Sequence, residues 1–316
     1  MLSVLITGGT GVIGKRLSSM LVEKGYHVII LTRQQSLING EIKDKEAGLH
    51  YAYWNVEKSE IDKNAVTNTD YVIHLAGAGV ADKRWTEKRK TEIVESRTKS
   101  SALLIKALRE NDNKVKAVIS ASAIGWYGPD TTESLKRGFS ESEKPTDDFL
   151  GNTCLLWEES IEPVMELGKR LVRLRTGIVL SNDGGAFAEF RKPLKAGIAA
   201  ILGTGRQTIS WIHIEDICRI YLYALENEKL EGIYNAAAPK PVNNKTLVLQ
   251  IAKQLHGNFF VAMPVPAFIL KIVLGEMSIE VLKSTTVSSK KIMAAGFKFL
   301  HPSIETAVEA LISKPK

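Results

Sequence analysis

The stretch Thr7-Gly8-Gly9-Thr10-Gly11-Val12-Ile13-Gly14 decides how this chain is read. It follows a short apolar run at residues 2–6 and opens an amphipathic segment at residues 11–24, the order of a strand, a tight turn and a helix. Each spaced glycine has a physical task in such a turn. Gly8 permits the sharp bend leaving the strand, Gly11 lets a diphosphate approach the backbone, and Gly14 allows close helix–sheet packing. The helix start then offers N–H groups without intrahelical partners and the positive end of its dipole. Residues 7–14 are therefore expected to hold a dinucleotide.

Working outward, Gly25 closes the first helix and residues 27–31 read as a second strand. Further apolar runs lie at residues 71–75, 115–120 and 171–174, with helical patterns at Glu87–Glu110 and at residues 149–167. Pro163 is expected to kink or shorten the latter. Near-continuous apolar strands alternating with helices predict an α/β fold, a Rossmann-type doubly wound parallel sheet covered on both faces. After about residue 175 the pattern changes. Gly184-Gly185, Gly203-Thr204-Gly205 and Ala238-Pro239-Lys240-Pro241 punctuate shorter elements. The expected division is a dinucleotide-binding domain at 1–175 and a smaller mixed α/β substrate lobe at 176–316, some later elements returning to the main sheet.

The end of the second strand separates the two nicotinamide cofactors. An NAD site carries Asp or Glu there, about 20 residues beyond the glycines, for the ribose 2′-hydroxyl. This chain has Leu31-Thr32-Arg33 and no acid until Glu41. Arg33 can clamp a 2′-phosphate with its planar fork, and Arg16 on the first helix is a second candidate contact. The expected cofactor is NADP(H) rather than NAD(H). The bland alternative is that Arg33 is simply exposed at a strand end.

Composition bounds the rest. The 316 residues are 44% hydrophobic and 24% charged, ordinary for a globular chain, which excludes wholesale disorder. The excess of 42 Lys+Arg over 35 Asp+Glu is interspersed with acids, as in Glu87-Lys88-Arg89-Lys90-Thr91-Glu92. No basic stripe with interleaved aromatics forms, so nucleic acid is not an expected partner. Two cysteines, Cys154 and Cys218, without a Cys/His cluster, support neither disulfides nor a metal site. The start of the chain leaves no room for a signal peptide. The apolar stretch 265–275 is too short to span a bilayer and is broken by Lys271. A cytoplasmic protein, monomer or homodimer, without membrane attachment is expected.

At this point the chain resembles the extended short-chain dehydrogenase/reductases of the NAD-dependent epimerase/dehydratase superfamily. The glycine motif and His74-Leu75-Ala76-Gly77-Ala78 carry the general likeness. Narrower likeness, to atypical epimerase-family proteins with a C-terminal domain of unknown function, rests on three long motifs. These are Ala78-Gly79-Val80-Ala81-Asp82-Lys83-Arg84-Trp85-Thr86, Ser120-Ala121-Ser122-Ala123-Ile124-Gly125-Trp126-Tyr127-Gly128 and Ser210-Trp211-Ile212-His213-Ile214-Glu215-Asp216. Glu95-Ser96-Arg97, Asp147-Asp148-Phe149-Leu150, Leu174-Arg175-Thr176-Gly177-Ile178-Val179-Leu180, Pro264-Val265-Pro266-Ala267-Phe268 and Leu274-Gly275-Glu276-Met277 continue it. The resemblance implies that Leu75, Ala76, Gly77 and Thr176 also line the cofactor. It implies a family-specific segment near 254–301.

In that superfamily a Tyr-x-x-x-Lys pair moves the proton while nicotinamide carries the hydride. Aligned on Trp157-Glu158, this chain has Leu150 and Cys154 in those places, so the usual relay is missing. Ser122 matches the serine that holds the substrate oxygen. Tyr127, on the same strand-end loop, is the candidate phenol donor; its alternative is a packed aromatic with a locally satisfied hydroxyl. Cys154 is expected to be a buried thiol rather than a nucleophile. Lys83 and Trp85, with Arg84 between them, and Arg206 are candidate pocket residues for a polar, anionic substrate, with surface salt bridging as the alternative for Lys83. His213 reads as scaffold. Arg97 either faces the cleft or pairs with Glu95. The expected function is NADP(H)-linked oxidoreduction or epimerisation of a small molecule, with a non-catalytic NADP(H) sensor or scaffold as the alternative.

Overall fold

A computed structural model describes residues 1–40 and 48–313. In Ser3–Thr7 (β1) every residue is buried. Val4 and Ile6 enter one apolar cluster and Leu5 the opposite one, as a strand covered on both faces requires. The same logic builds His27–Thr32 (β2), Leu49–Asn55 (β3), Tyr71–His74, Ala117–Ala123 and Arg170–Thr176. With Glu60–Ile61 as β4, those last three are β5, β6 and β7, and Gly232–Ala236 is β8. The sheet runs β8-β7-β6-β5-β1-β2-β3-β4. All pairs are parallel except β3 with β4. Strand order reverses at β1, between β5 and β2. Doubly wound sheets place ligands in the crevice outside the carboxyl ends at that point.

Helices cover both faces. Val12–Glu23 and Ile214–Glu226 pack together beside Val4 and Ile6, and Glu87–Glu110 packs on Phe149–Ile161 across the sheet. Glu87–Glu110 has the bounds its periodicity predicts, because the Thr86 hydroxyl caps it by accepting from the Arg89 N–H. The helix predicted over 149–167 splits as expected. Its α-helical part ends at Ile161, and Pro163 enters a 3₁₀ segment, Glu162–Leu167, because proline has no N–H for the ladder.

Two strands have no clear mark in the sequence. In Leu49–Asn55 only Ala52 and Trp54 are buried, among polar and aromatic neighbours, so no apolar run signals it. Gly232–Ala236 returns to the main sheet beside β7. Three small two-stranded pieces complete the later half: Ile178–Leu180 with Trp211–His213, Ile198–Leu202 with Val261–Val265, and Thr208–Ile209 with Val242–Asn243. Among the described residues no helix is long and apolar enough to cross a membrane.

Candidate dinucleotide and substrate site

The turn after β1 is built so that side chains cannot enter it. Gly8 has φ +69°, and a Cβ there would lie 2.7 Å from the Leu75 carbonyl oxygen. A Cβ on Gly14 would lie 2.5 Å from Gly8 O and 2.5 Å from Gly9 Cα. Gly14 therefore packs helix against turn, a correction to the helix–sheet contact expected from the motif. Gly9 is pressed on the Ile30 side chain of β2. Gly11 is exposed and starts the helix without any side-chain cap, which leaves the first-turn N–H groups of Val12 and Ile13 for a ligand. These features fit a dinucleotide diphosphate.

Thr7 plays a different part from the one expected. It is fully buried. Its hydroxyl oxygen accepts from the N–H groups of Leu75 at 3.1 Å and Ala76 at 3.2 Å, and lies 2.8 Å from His74 Nδ1. His74 is sealed in and desolvation pulls its pKa down to about 4, so its imidazole stays neutral at ordinary pH. Thr7 thus fastens the end of β5 to the end of β1, its side chain closed off from the groove rather than lining it. The half-buried Leu75 shares in that clamp.

A groove of about 880 Å³ lies over these strand ends. Gly8, Thr10, Arg33, Ala76 and Gly77, all expected at the cofactor, line it together. Trp54 and Asn55 at the end of β3, with Ser96 and Lys99 from the long helix, also line it; of these only Ser96 falls in a motif the sequence singles out. Arg33 is exposed to this groove. Arg16 is not near it in function: its guanidinium is held by Glu215 at 2.7 and 2.9 Å and by Glu23 at 3.2 Å. Arg16 therefore ties two helices together, which corrects its assignment as a phosphate contact. Glu41 lies outside the described residues. Thr176 sits at the end of β7 with its hydroxyl donating to Leu174 O, and does not line the groove.

The two catalytic candidates are locked in one buried network. Ser122 donates to Glu158 Oε1 at 2.7 Å. Glu158 also receives Arg175 Nε at 2.8 Å and Nη2 at 3.0 Å. Arg175 Nη1 donates to the Tyr127 oxygen at 3.1 Å, and Tyr127 donates to Asn235 Oδ1 at 2.7 Å. The guanidinium also lies 3.6 Å from the centre of the Trp126 ring. Burial pushes the Tyr127 phenol up to about 12. Tyr127 is packed as in the alternative reading, its hydroxyl held by Arg175 and Asn235, and the Ser122 hydroxyl donates to a carboxylate. Neither hydroxyl is free in this arrangement, which departs from the catalytic placement expected for Ser122 and Tyr127. One signal exists for Glu158: it shares the helix phase of Cys154, Trp157 and Ile161, all buried, so an acid there needs a cation.

Cys154 is buried, with burial pushing its thiol up to about 12. Neither it nor the equally buried Cys218 is expected to react with a thiol reagent such as dithionitrobenzoate in the folded protein. Two equivalents should appear only after denaturation, and rapid native labelling would contradict the burial.

The pocket candidates separate. Trp85 is buried, its indole N–H donating to Val80 O at 2.9 Å and its ring meeting Phe149 edge-on. It braces the loop after β5, a correction to its pocket role. Lys83 is exposed on that loop. Arg206 lines a second cavity, of about 490 Å³, with Thr204, Gln207, Leu282 and Ser284. His213 caps a helix, Nδ1 accepting from the Glu215 N–H at 3.1 Å, the scaffold role expected.

A parallel sheet with a glycine cradle at its order reversal is the architecture of a Rossmann-type dinucleotide-binding protein. Residues 4–149 match the model of the NAD dependent epimerase/dehydratase family, and residues 265–311 match a domain of unknown function, DUF1731. "Epimerase family protein YfhF" of Bacillus subtilis is 34% identical over 100% of this chain and 99% of its own length. "Epimerase family protein SAR0825" of Staphylococcus aureus is 35% identical over 98% of this chain and 99% of its own. The structure of human epimerase family protein SDR39U1 with NADPH is similar at TM-score 0.84 and 25% identity, covering 99% of this chain and 100% of that one. The chain belongs to the NAD dependent epimerase/dehydratase family, in the group of epimerase family proteins that end in DUF1731.

Proposed function

We propose that this protein binds NADP(H) across the groove at the β1 turn and exchanges a hydride with a polar, anionic small molecule in the cytoplasm. The observation that carries the reading is Arg33 lining the same groove as Gly8 and Thr10. A guanidinium there suits a 2′-phosphate and offers nothing to a ribose hydroxyl that an acid would not do better. The human relative solved with NADPH supports it. Bound nicotinamide would supply the hydride. The chain would hold the diphosphate by first-turn N–H groups and present Arg206 to an anionic substrate. With Ser122 and Tyr127 locked, water handles the proton.

Titration by calorimetry tests the cofactor. The wild type should prefer NADPH to NADH, and Arg33→Ala should weaken NADPH by about ten- to a hundredfold, the worth of a charge-assisted contact, while NADH changes far less. Equal affinity of the wild type for both dinucleotides would remove the role of Arg33. Turnover is read from NADPH absorbance against a panel of carbonyl compounds. The committed Ser122 hydroxyl favours a second reading, a non-catalytic NADP(H)-binding sensor or scaffold. Tight NADPH binding without consumption across the panel would select it.

A further inference from the structure

The missing lysine leaves a charge unaccounted for, and the long helix supplies one. Arg97 does not pair with Glu95, which is bound to Lys99 at 2.8 Å. Arg97 is instead buried, 8% exposed, with its guanidinium beneath the loop that follows β5. One nitrogen, Nη1, donates to Ala78 O at 3.1 Å and Ile93 O at 2.8 Å. The plane lies 4.7 Å from the centre of the Trp157 ring, on the helix that carries Cys154. Burial pulls the guanidinium down to about 10, with the Cys154 thiol opposing that fall and the Arg89 charge adding to it. Among the described residues no carboxylate pairs with Arg97, whereas its neighbour Arg89 has Glu92 at 2.7 Å. Nor do Nε and Nη2 of Arg97 find an acceptor among them; yet neither is sealed off, unlike Arg89 Nε. A Cβ on Gly77 would lie 3.1 Å from Arg97 Cζ, so a side chain at that exposed groove position would cover the guanidinium.

A buried cation without a counter-charge is costly. Two carbonyls and an aromatic face reduce that cost, and the remaining N–H groups still require an oxygen. Sheet order says which. Arg33, Trp54 and Asn55 mark the β2–β3 side of the order reversal, where the adenosine end lies; Gly77, Ala78 and Cys154 mark the β5–β6 side, where the nicotinamide half must lie. We propose that Arg97 replaces the absent lysine from a different helix: its open N–H groups hold an oxygen of the nicotinamide half of the bound dinucleotide. This rests on the NADP(H) reading above.

The test compares NADPH with adenosine 2′,5′-bisphosphate, which carries the adenosine end alone, by calorimetry on the full chain. Arg97→Met should weaken NADPH by about ten- to a hundredfold and leave the bisphosphate unchanged. Arg97→Lys keeps the charge but lacks the fork, and should lose a smaller factor, about three- to tenfold, on NADPH alone. It decides the matter if the methionine variant does not fold. Unchanged NADPH affinity, or parallel loss of both ligands, overturns the assignment of Arg97 while the NADP(H) reading stands. A wild type that binds neither ligand overturns both.

Discussion

Gly14→Ala is expected to weaken dinucleotide binding by on the order of a hundredfold and to destabilise the fold by roughly 1–3 kcal/mol. The added methyl would start 2.5 Å from Gly8 O and from Gly9 Cα. These are backbone atoms and cannot rotate away. Relief requires the helix start and the turn to part by about 1 Å, the scale at which positioned contacts lose most of their value. The N–H groups of Val12 and Ile13 would move with the helix. Gly25→Ala is the control. Gly25 has φ +82°, and a Cβ there would meet nothing within 4 Å, so its replacement costs only left-handed strain, about 1–2 kcal/mol. Calorimetric titration with NADPH and thermal melting read both variants. Near-native NADPH affinity in Gly14→Ala would mean that the turn is not the anchor.

The second large effect concerns stability. Arg175→Met leaves the Glu158 carboxylate, 3% exposed, without its cation. Breaking one side of a buried pair costs about 3–5 kcal/mol, a fall in Tm of roughly 10 °C for a chain of this size. Burial is the largest single influence on the Arg175 pKa and lowers it, but the hydrogen bonds and charge attraction of Glu158, with Tyr127 adding to them, together outweigh it and raise the pKa. The pair thus stabilises the charged guanidinium. The double variant Arg175→Met/Glu158→Leu should recover most of the loss, because no buried charge remains. A cycle of denaturant unfolding measures the coupling. Additive single effects would show that the two side chains do not depend on each other.

The two predictions differ in how far the sequence can carry them. The turn is local in the chain: strand end, glycines and helix start are consecutive, and Gly11 and Gly14 are crowded by the turn's own backbone, although Gly8 and Gly9 are pressed by Leu75 and Ile30 from the neighbouring strands. Arg33 is legible for the same reason, as the residue that follows β2. The catalytic assignments fail where partners are distant in the chain. Tyr127 meets Asn235 across 108 positions, and Ser122 meets Glu158 across 36. A serine at a strand end looks the same in sequence whether its proton faces a ligand or a carboxylate.

Arg16 and Trp85 repeat the lesson. Arg16 reads as a cation beside a phosphate site until Glu215, 199 positions on, takes it. Trp85 reads as a pocket wall until Val80 and Phe149 enclose it. Periodicity and turn chemistry by themselves determined the alternating strands and helices, the glycine turn after β1 and the cation at the end of β2, because those depend on neighbours in the chain. Only the folded packing decided which polar groups stay open to a ligand. A donor or charge that leaves water must find its partner wherever the sheet order brings one, and that order is set by the burial of the whole core.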